Sequence, residues 1–453
     1  MIALIAHDSA SAQILAPASP CDSVAGTVVT CSGDVHQGVL AISPTFQTLN
    51  VVTSTDITPA SGVAGIRQVD RSTSNNITVN VDTSGAPNGI VTSGSAPGIL
   101  VQIESSLGKS STLGDFVIVN KGNIASNGTR GVGIDANVTA YNRSTTNNVT
   151  AASGILAVTS QGNIQTKLHG TGVKAFNDAF AQSDVAGATA ASGDLTVTST
   201  GNISTGKALG NDGGIGIFAN NSSSAFANGS GDATTKTGAV TITSTGNISV
   251  KNSGIGIFAG ISAGAGAQNG AASATSGNIT ILSTGTITTG ASGRGIFASN
   301  NNTSANSTIG SASANAGDIL ITNAGNISTG FGGLGIQVLN AANGTLGNIT
   351  ITSSGSISGG ANGYGILTTN LSGFTKSGNV AVNILGGTVS AGSNGIAIRM
   401  DGGQTHSVTN YGTIVTADSI NGYAVAVNSA NSAAVSNFGT IVGNVDLGHK
   451  LIN

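Results

Sequence analysis

The residues able to do chemistry are few in this chain, and their spacing argues against a catalytic constellation. Acid/base work on a glycosidic bond needs two carboxylates, or a carboxylate with a cation, converging on one bond. The sequence holds a single glutamate, Glu104, and its aspartates stand far apart. Asp135, Asp178, Asp194, Asp212 and Asp318 fall mainly in segments that read as loops or strand starts, where aspartate ordinarily serves a turn or a cap. The five histidines, His7, His36, His169, His406 and His449, include no pair at metal-ligand spacing and read as solvated loop or corner residues. No GDSG or GxSxG segment offers a serine nucleophile. The expectation is a chain with no catalytic residue, no cofactor site and no metal site.

Two short motifs imitate ligand loops. Leu107-Gly108-Lys109-Ser110 has the form of the end of a phosphate-binding loop, but Ile103 stands where the first glycine is required, so a turn is expected. Asn211-Asp212-Gly213-Gly214 has the form of a calcium-binding nonapeptide, yet it occurs once where tandem copies are needed. Cys21 and Cys31 read as one local disulfide in an exported protein, or else as two strand-buried thiols. Two thiolates without a nearby histidine supply only half of a tetrahedral metal site.

Composition bounds the elements that must position these residues. Glycine accounts for 69 of 453 residues, charged residues for only 7% and aromatic residues for 3%. Hydrophobic residues nevertheless make up 39%, mostly Ile, Val and Ala, which sets the chain apart from disordered sequences of low hydrophobicity and high charge. The net charge of −3 lacks the basic footprint that nucleic-acid binding requires. No run of 18 or more apolar residues exists to span a bilayer as a helix.

Self-similarity organises the rest of the chain. One element reads FVIVNKGNI at 116–124, LAVTSQGNI at 156–164, LTVTSTGNI at 195–203, VTITSTGNI at 240–248, ITILSTGTI at 279–287, ILITNAGNI at 319–327 and ITITSSGSI at 349–357. Degenerate copies follow at 382–389, 408–414 and 435–441. A second element reads GIGIFA at 214–219 and 254–259, GRGIFA at 293–298, GLGIQV at 333–338 and GYGILT at 363–368. The closing Ile or Val at 124, 164, 203, 248, 287, 327, 357, 389, 414 and 441 gives steps of 40, 39, 45, 39, 40, 30, 32, 25 and 27. We therefore expect a coil of about 25 to 30 residues with a variable loop inserted at one corner. Each coil would carry two or three strands.

Period-2 alternation orients the strands. In VTITSTG the side chains of Val240, Ile242 and Ser244 face one way, and those of Thr241, Thr243 and Thr245 the other. Ile and Val are expected inside and Thr in solvent. The glycine closing each strand needs either a positive φ or room for close backbone approach. Its neighbour, usually Asn, is placed to form a ladder along the axis. Stacking such coils yields an all-β, right-handed, single-stranded parallel β-helix, a β-solenoid of the pectin-lyase-like kind. Its handedness is inferred from the general bias of parallel crossovers. The expected organisation is a truncated signal peptide at 1–12, cap and first coils at 13–115, the repetitive helix at 116–448, and a C-terminal end without a membrane barrel at 449–453.

The TSTGNI and GIGIFA repeats, TVVTCSGDV at 27–35 and FGTIVGNVDLG at 438–448 resemble the passenger regions of autotransporters, the one-chain type V secretion proteins, particularly the large repetitive ones of α-proteobacteria. This resemblance implies a structural or adhesive rod, on the bacterial cell surface and outer-membrane-associated, or secreted. Its partners would be a host-cell, matrix or surface ligand, and a missing or separate outer-membrane β-barrel translocator. The segments at 220–238, 260–277 and 299–316 are the expected contact loops. A different reading, a binder of ice or another crystal surface, would use outward threonines such as Thr241, Thr243 and Thr352. A polysaccharide-acting enzyme is the third.

Overall fold

The structure is a computed structural model that describes residues 21, 27–42, 47–70, 75–105, 111–167, 169–206, 213–372, 378–428 and 432–448. The segments 1–12 and 449–453, His7, His449, Leu107-Gly108-Lys109-Ser110 and Asp212 lie outside the described residues. The described chain is a parallel β-helix. Sheet 1 has 13 strands from Val28–Ser32 to Ser432–Asn437, and sheet 2 has 11 from Ile90–Thr92 to Thr440–Val442. Sheet 3 has 13 strands from Val39–Ile42 to Asn444–Asp446. Each strand pairs in parallel with its equivalents in adjacent coils. At about 4.8 Å per coil, sheet 1 extends roughly 60 Å along the axis.

Inward rows build the core. Leu156, Leu195, Val240, Ile279, Ile319, Ile349 and Val380 stand in register in sheet 1. At the corner, Ile164, Ile203, Ile248, Ile287 and Ile327 do the same in sheet 2. All are at most 1% exposed, so each contributes on the order of 1.5–3 kcal/mol of burial. The Gly-x-Gly-Ile motif has a packing reason: a Cβ at Gly216 would lie 2.5 Å from Cγ2 of Ile248 in the next coil. Asn ladders close the corner as expected. The backbone N–H groups of Asn163, Asn202 and Asn247 each donate to the Oδ1 of the preceding coil's Asn, at 3.0, 2.9 and 2.9 Å.

The expected corner loops are not loops. Residues 220–238, 260–277 and 299–316 continue the sheet 3 strands and return through a fourth sheet. Ile215–Ala227, Ile255–Ala267 and Arg294–Ser307 are single strands of 13 or 14 residues. Ala233–Thr237, Ala272–Ser276 and Ala312–Asn315 belong to sheet 4, which has six strands among the described residues. The coils from about residue 77 to 315 thus have four strands each, and later ones three, which accounts for the drop in repeat length.

The far half of each long strand and its sheet 4 partner form a thin two-layer fin. Inward residues here are small: Ser223, Ala225 and Ala227 on one layer, and Ala233, Thr235 and Thr237 on the other. Methyls and hydroxyls leave little between the layers, and Cα atoms of the two strands come within 8 Å. Where the fin joins the main body, Asn177, Asn221, Asn300, Asn340 and Asn370 occupy one inward column, interrupted by Ile261. The amides of Asn177, Asn221, Asn340 and Asn370 donate to corner glycine carbonyls, and that of Asn300 to Ser276 Oγ. The Nδ2 of Asn221 donates to Gly193 O at 2.8 Å and to Gly238 O at 3.1 Å.

Cys21 and Cys31 are joined by a disulfide of S–S length 2.03 Å at the first sheet 1 strand. His406 departs from the expected solvated position: it is 2% exposed, in the inward column occupied by Val380 in the coil before. Alternation decides this, because its neighbours Thr405 and Ser407 must face outward. Burial holds its imidazole below the usual range, against smaller opposing effects of the Gly402 backbone and the Asp401 carboxylate. A lowered folded-state pKa means that the unfolded chain takes up the proton more readily. The stabilisation is complete above about pH 6.5 and declines below it. His406→Leu should therefore match the parent chain at pH 7.5. Its advantage should grow by up to about 1.4 kcal/mol per pH unit below 6.5, as urea unfolding across pH would measure.

Candidate surface site

The outer face of the long sheet 3 strands brings aromatic, amide and hydroxyl side chains together in rows. Strand alternation sends Lys174, Phe176, Asp178, Phe180 and Gln182 outward from Thr171–Ser183. The same face receives Phe218, Asn220, Ser222, Ser224 and Phe226 from Ile215–Ala227, and Phe258, Gly260, Ser262, Gly264 and Gly266 from Ile255–Ala267. Register brings the rings together across coils. Tyr141 and Phe180 stack with centroids 5.1 Å apart, and Phe226 lies 5.8 Å beyond Phe180. On the side nearer the body, Phe218 and Phe258 stack at 4.9 Å, with Phe297 edge-on at 5.4 Å. The Arg294 guanidinium covers Phe297 at 4.6 Å, a cation–π contact made while burial lowers its pKa.

Two glycines make the rings fit. A Cβ at Gly260 would sit 2.9 Å from the Phe258 ring, and one at Gly266 would sit 3.0 Å from the Phe226 ring. The Phe258 ring leans along its strand over Gly260 and the Phe226 ring reaches across to Gly266 of the next coil, and a shallow floor of Asn220, Ser222, Ser224, Ser262 and Gly264 lies between the two aromatic rows. Asp178 borders this floor between Phe176 and Phe180. Burial raises its carboxyl pKa, partly opposed by the hydrogen bond that Ser222 Oγ donates to it.

The remaining acidic residues take structural positions. Asp135 accepts from Lys174 Nζ at 3.0 Å and from Asn137 Nδ2 at 2.6 Å. It stands opposite Lys174, four strand positions from the level of Asp178, or roughly 13 Å. That separation exceeds the roughly 5–9.5 Å of glycosidase carboxylate pairs. Asp194 and Asp318 are rungs in a second corner ladder, accepting from the Ala239 and Asn348 backbones at 2.8 and 2.7 Å. Glu104 accepts from Gln102 on its own strand. His36 contacts the Asp34 carboxylate at 2.8 Å. His169 occupies a turn with φ +54°, a left-handed position shared with Ser253 at +55° and Asn362 at +58° in other coils. Among the described residues no three His, Cys, Asp or Glu side chains converge as a metal site.

The threonines gather on sheet 1 in register but not without interruption. Thr196, Thr241 and Thr280 form one column and Thr198 and Thr243 another. Leu320 breaks the first and Leu282 the second, each about two-fifths exposed, while Thr352 pairs with Thr322 beyond the break. A separate hollow of about 850 Å³, lined in part by His36, Leu40, Val63, Arg67 and Leu100, lies toward the N-terminal end.

Only the Gly-x-Gly-Ile start of each long strand was readable in advance; its continuation through 220–227, 260–267 and 299–307 and the aromatic rows on it were not. Their members are about 40 residues apart in sequence and meet only through coil register. The repeated Phe at 218, 258 and 297 was the available signal. No helix among the described residues is long and apolar enough to cross a membrane. Comparisons with known protein families, with curated proteins and with solved structures returned no match to this chain.

Proposed function

We propose that the chain is a non-catalytic structural and adhesive rod, the passenger of an autotransporter-like type V secretion protein, displayed on a bacterial outer surface or secreted. The supporting observation is a regular solenoid that widens into a fin and presents aligned aromatic, amide and hydroxyl rows on one broad face. Rigid elements hold such rows without the ordering cost that mobile loops incur on binding. The acidic residues support a non-catalytic role, because Asp194 and Asp318 serve ladders and Asp135 is paired with Lys174. Its partner would be a host-cell, matrix or abiotic surface, with a β-barrel translocator delivering the rod. The Thr columns favour a crystal-surface reading less, because Leu282 and Leu320 interrupt them.

Attachment provides the test. Deleting the gene from its native strain should lower attachment to host-cell or matrix-coated surfaces several-fold, and added purified chain should compete with the parent strain. Unchanged attachment together with no competition would contradict the adhesive role.

A further inference from the structure

The broad face of the fin has a composition that selects one kind of occupant. Its central strands, Thr171–Ser183, Ile215–Ala227 and Ile255–Ala267, lie inside a 13-stranded sheet, so their backbone N–H and C=O groups are bonded to the coils on either side. A peptide cannot add to it as a strand, and recognition must come from side chains. The outward residues of Ile215–Ala227 and Ile255–Ala267 carry no charge. The charges at the margin are already engaged: Lys174 with Asp135 at 3.0 Å, and Arg294 with the Phe297 ring. An anionic polymer would find no free cation on this floor.

What the floor offers is a carboxyl, amides and hydroxyls between aromatic rows. Phe226 is 40% exposed, an unusual placement for a ring with a shielded interior nearby, and its ring reaches across to Gly266 of the next coil. The C–H bonds of a pyranose carry partial positive charge and suit the negative face of such a ring. The adjacent Asp178 carboxyl accepts from Ser222 Oγ and from the Ala179 backbone, and its two oxygens keep further lone pairs. It can accept from a pair of neighbouring sugar hydroxyls, while Asn220 and Ser224 donate.

We propose that the trough between the aromatic rows, bounded by Asp178, Phe180, Ser222, Phe226 and Gly264, binds an uncharged polysaccharide chain. The proposal rests on the adhesive reading and names its ligand class. A sugar ring packs on the exposed side of Phe226, which Phe180 backs, and Asp178 orients it by accepting its hydroxyls.

The test is native affinity electrophoresis of the purified full chain in gels containing a soluble β-glucan, a galactomannan or a xylan, with polygalacturonate as the charged comparison. At least one neutral polysaccharide should retard the chain and polygalacturonate should not. Phe226→Ala and Asp178→Asn should each weaken the retardation at least tenfold. Phe331→Ala, at an exposed ring in the turn before Leu334–Ala342, should leave it unchanged. Asp178→Asn conserves volume and guards against misfolding as the cause, and thermal melts of all three variants give a second check. Retardation by none of the neutral polymers, or retardation that survives both substitutions, overturns the proposal. If the chain still competes for surface attachment in that case, the adhesive reading stands and only the glycan assignment falls.

Discussion

Replacing Gly246 by alanine is expected to lower stability by about 3 kcal/mol or more, an effect out of proportion to one methyl group. At this corner the backbones of successive coils touch. A Cβ at Gly246 would lie 2.0 Å from the carbonyl oxygen of Gly201, and one at Gly285 would lie 2.1 Å from that of Gly246. The coil would have to move away from the preceding one, which stretches the Asn247 N–H to Asn202 Oδ1 bond of 2.9 Å and the Ile203 N–H to Asn247 O bond of 2.8 Å. Each coil is held only by its neighbours, so the damage should appear as local unfolding and protease cleavage near residue 246, along with a lower urea midpoint. Gly264→Ala is the internal comparison. Its Cβ would meet nothing closer than Ser224 Oγ at 3.6 Å, and the expected change is between zero and a gain of about 1 kcal/mol. Equal effects at the two glycines would contradict the close-approach account of the corner.

The second large effect is expected at the seam of the fin. Asn221 is fully buried and donates to the carbonyls of Gly193 and Gly238, while its Oδ1 meets no donor among the described residues. Asn221→Asp keeps the shape and replaces the donor by an acceptor. The new carboxyl must stay protonated to fold, so its folded pKa is raised above the unfolded value near 3.9. Stability is then retained below that pH and lost as pH rises. At pH 7 the cost is about 4 kcal/mol, three pH units at about 1.4 kcal/mol each. Asn221→Ile should be milder, because Ile261 occupies the same column one coil on. Urea midpoints at pH 4 and pH 7 separate the cases: a pH-independent loss in Asn221→Asp would remove charge as the cause.

Much of the main body could be read in the chain. Val240 and Ile242 point inward because aliphatic residues alternate with Thr241 and Thr243, and the Gly-Asn pair repeats where the backbone turns. The fin escaped notice for a physical reason. Its inward positions, such as Asn221, Ser223 and Ala225, face equally small partners, so burial there needs no large apolar side chain. NNSSSAFA therefore lacks the hydrophobic contrast that marks a strand. Near-constant steps of 39 or 40 in most of these repeats were the better clue, since idle loops vary more in length. His406 shows the same limit in reverse: its residue type suggests solvent, but its place in the alternation requires the core. The aromatic face depends on register across coils, and residue types along one strand do not reveal it.

The proposed function requires the rod to be displayed outside the cell. Antibody raised to residues 116–448 would be applied to intact native cells before and after treatment with added protease. The expected result is a signal on intact cells that protease removes without lysis, or chain recovered from the medium. A signal that appears only after lysis, and that is protected from protease until then, would contradict it.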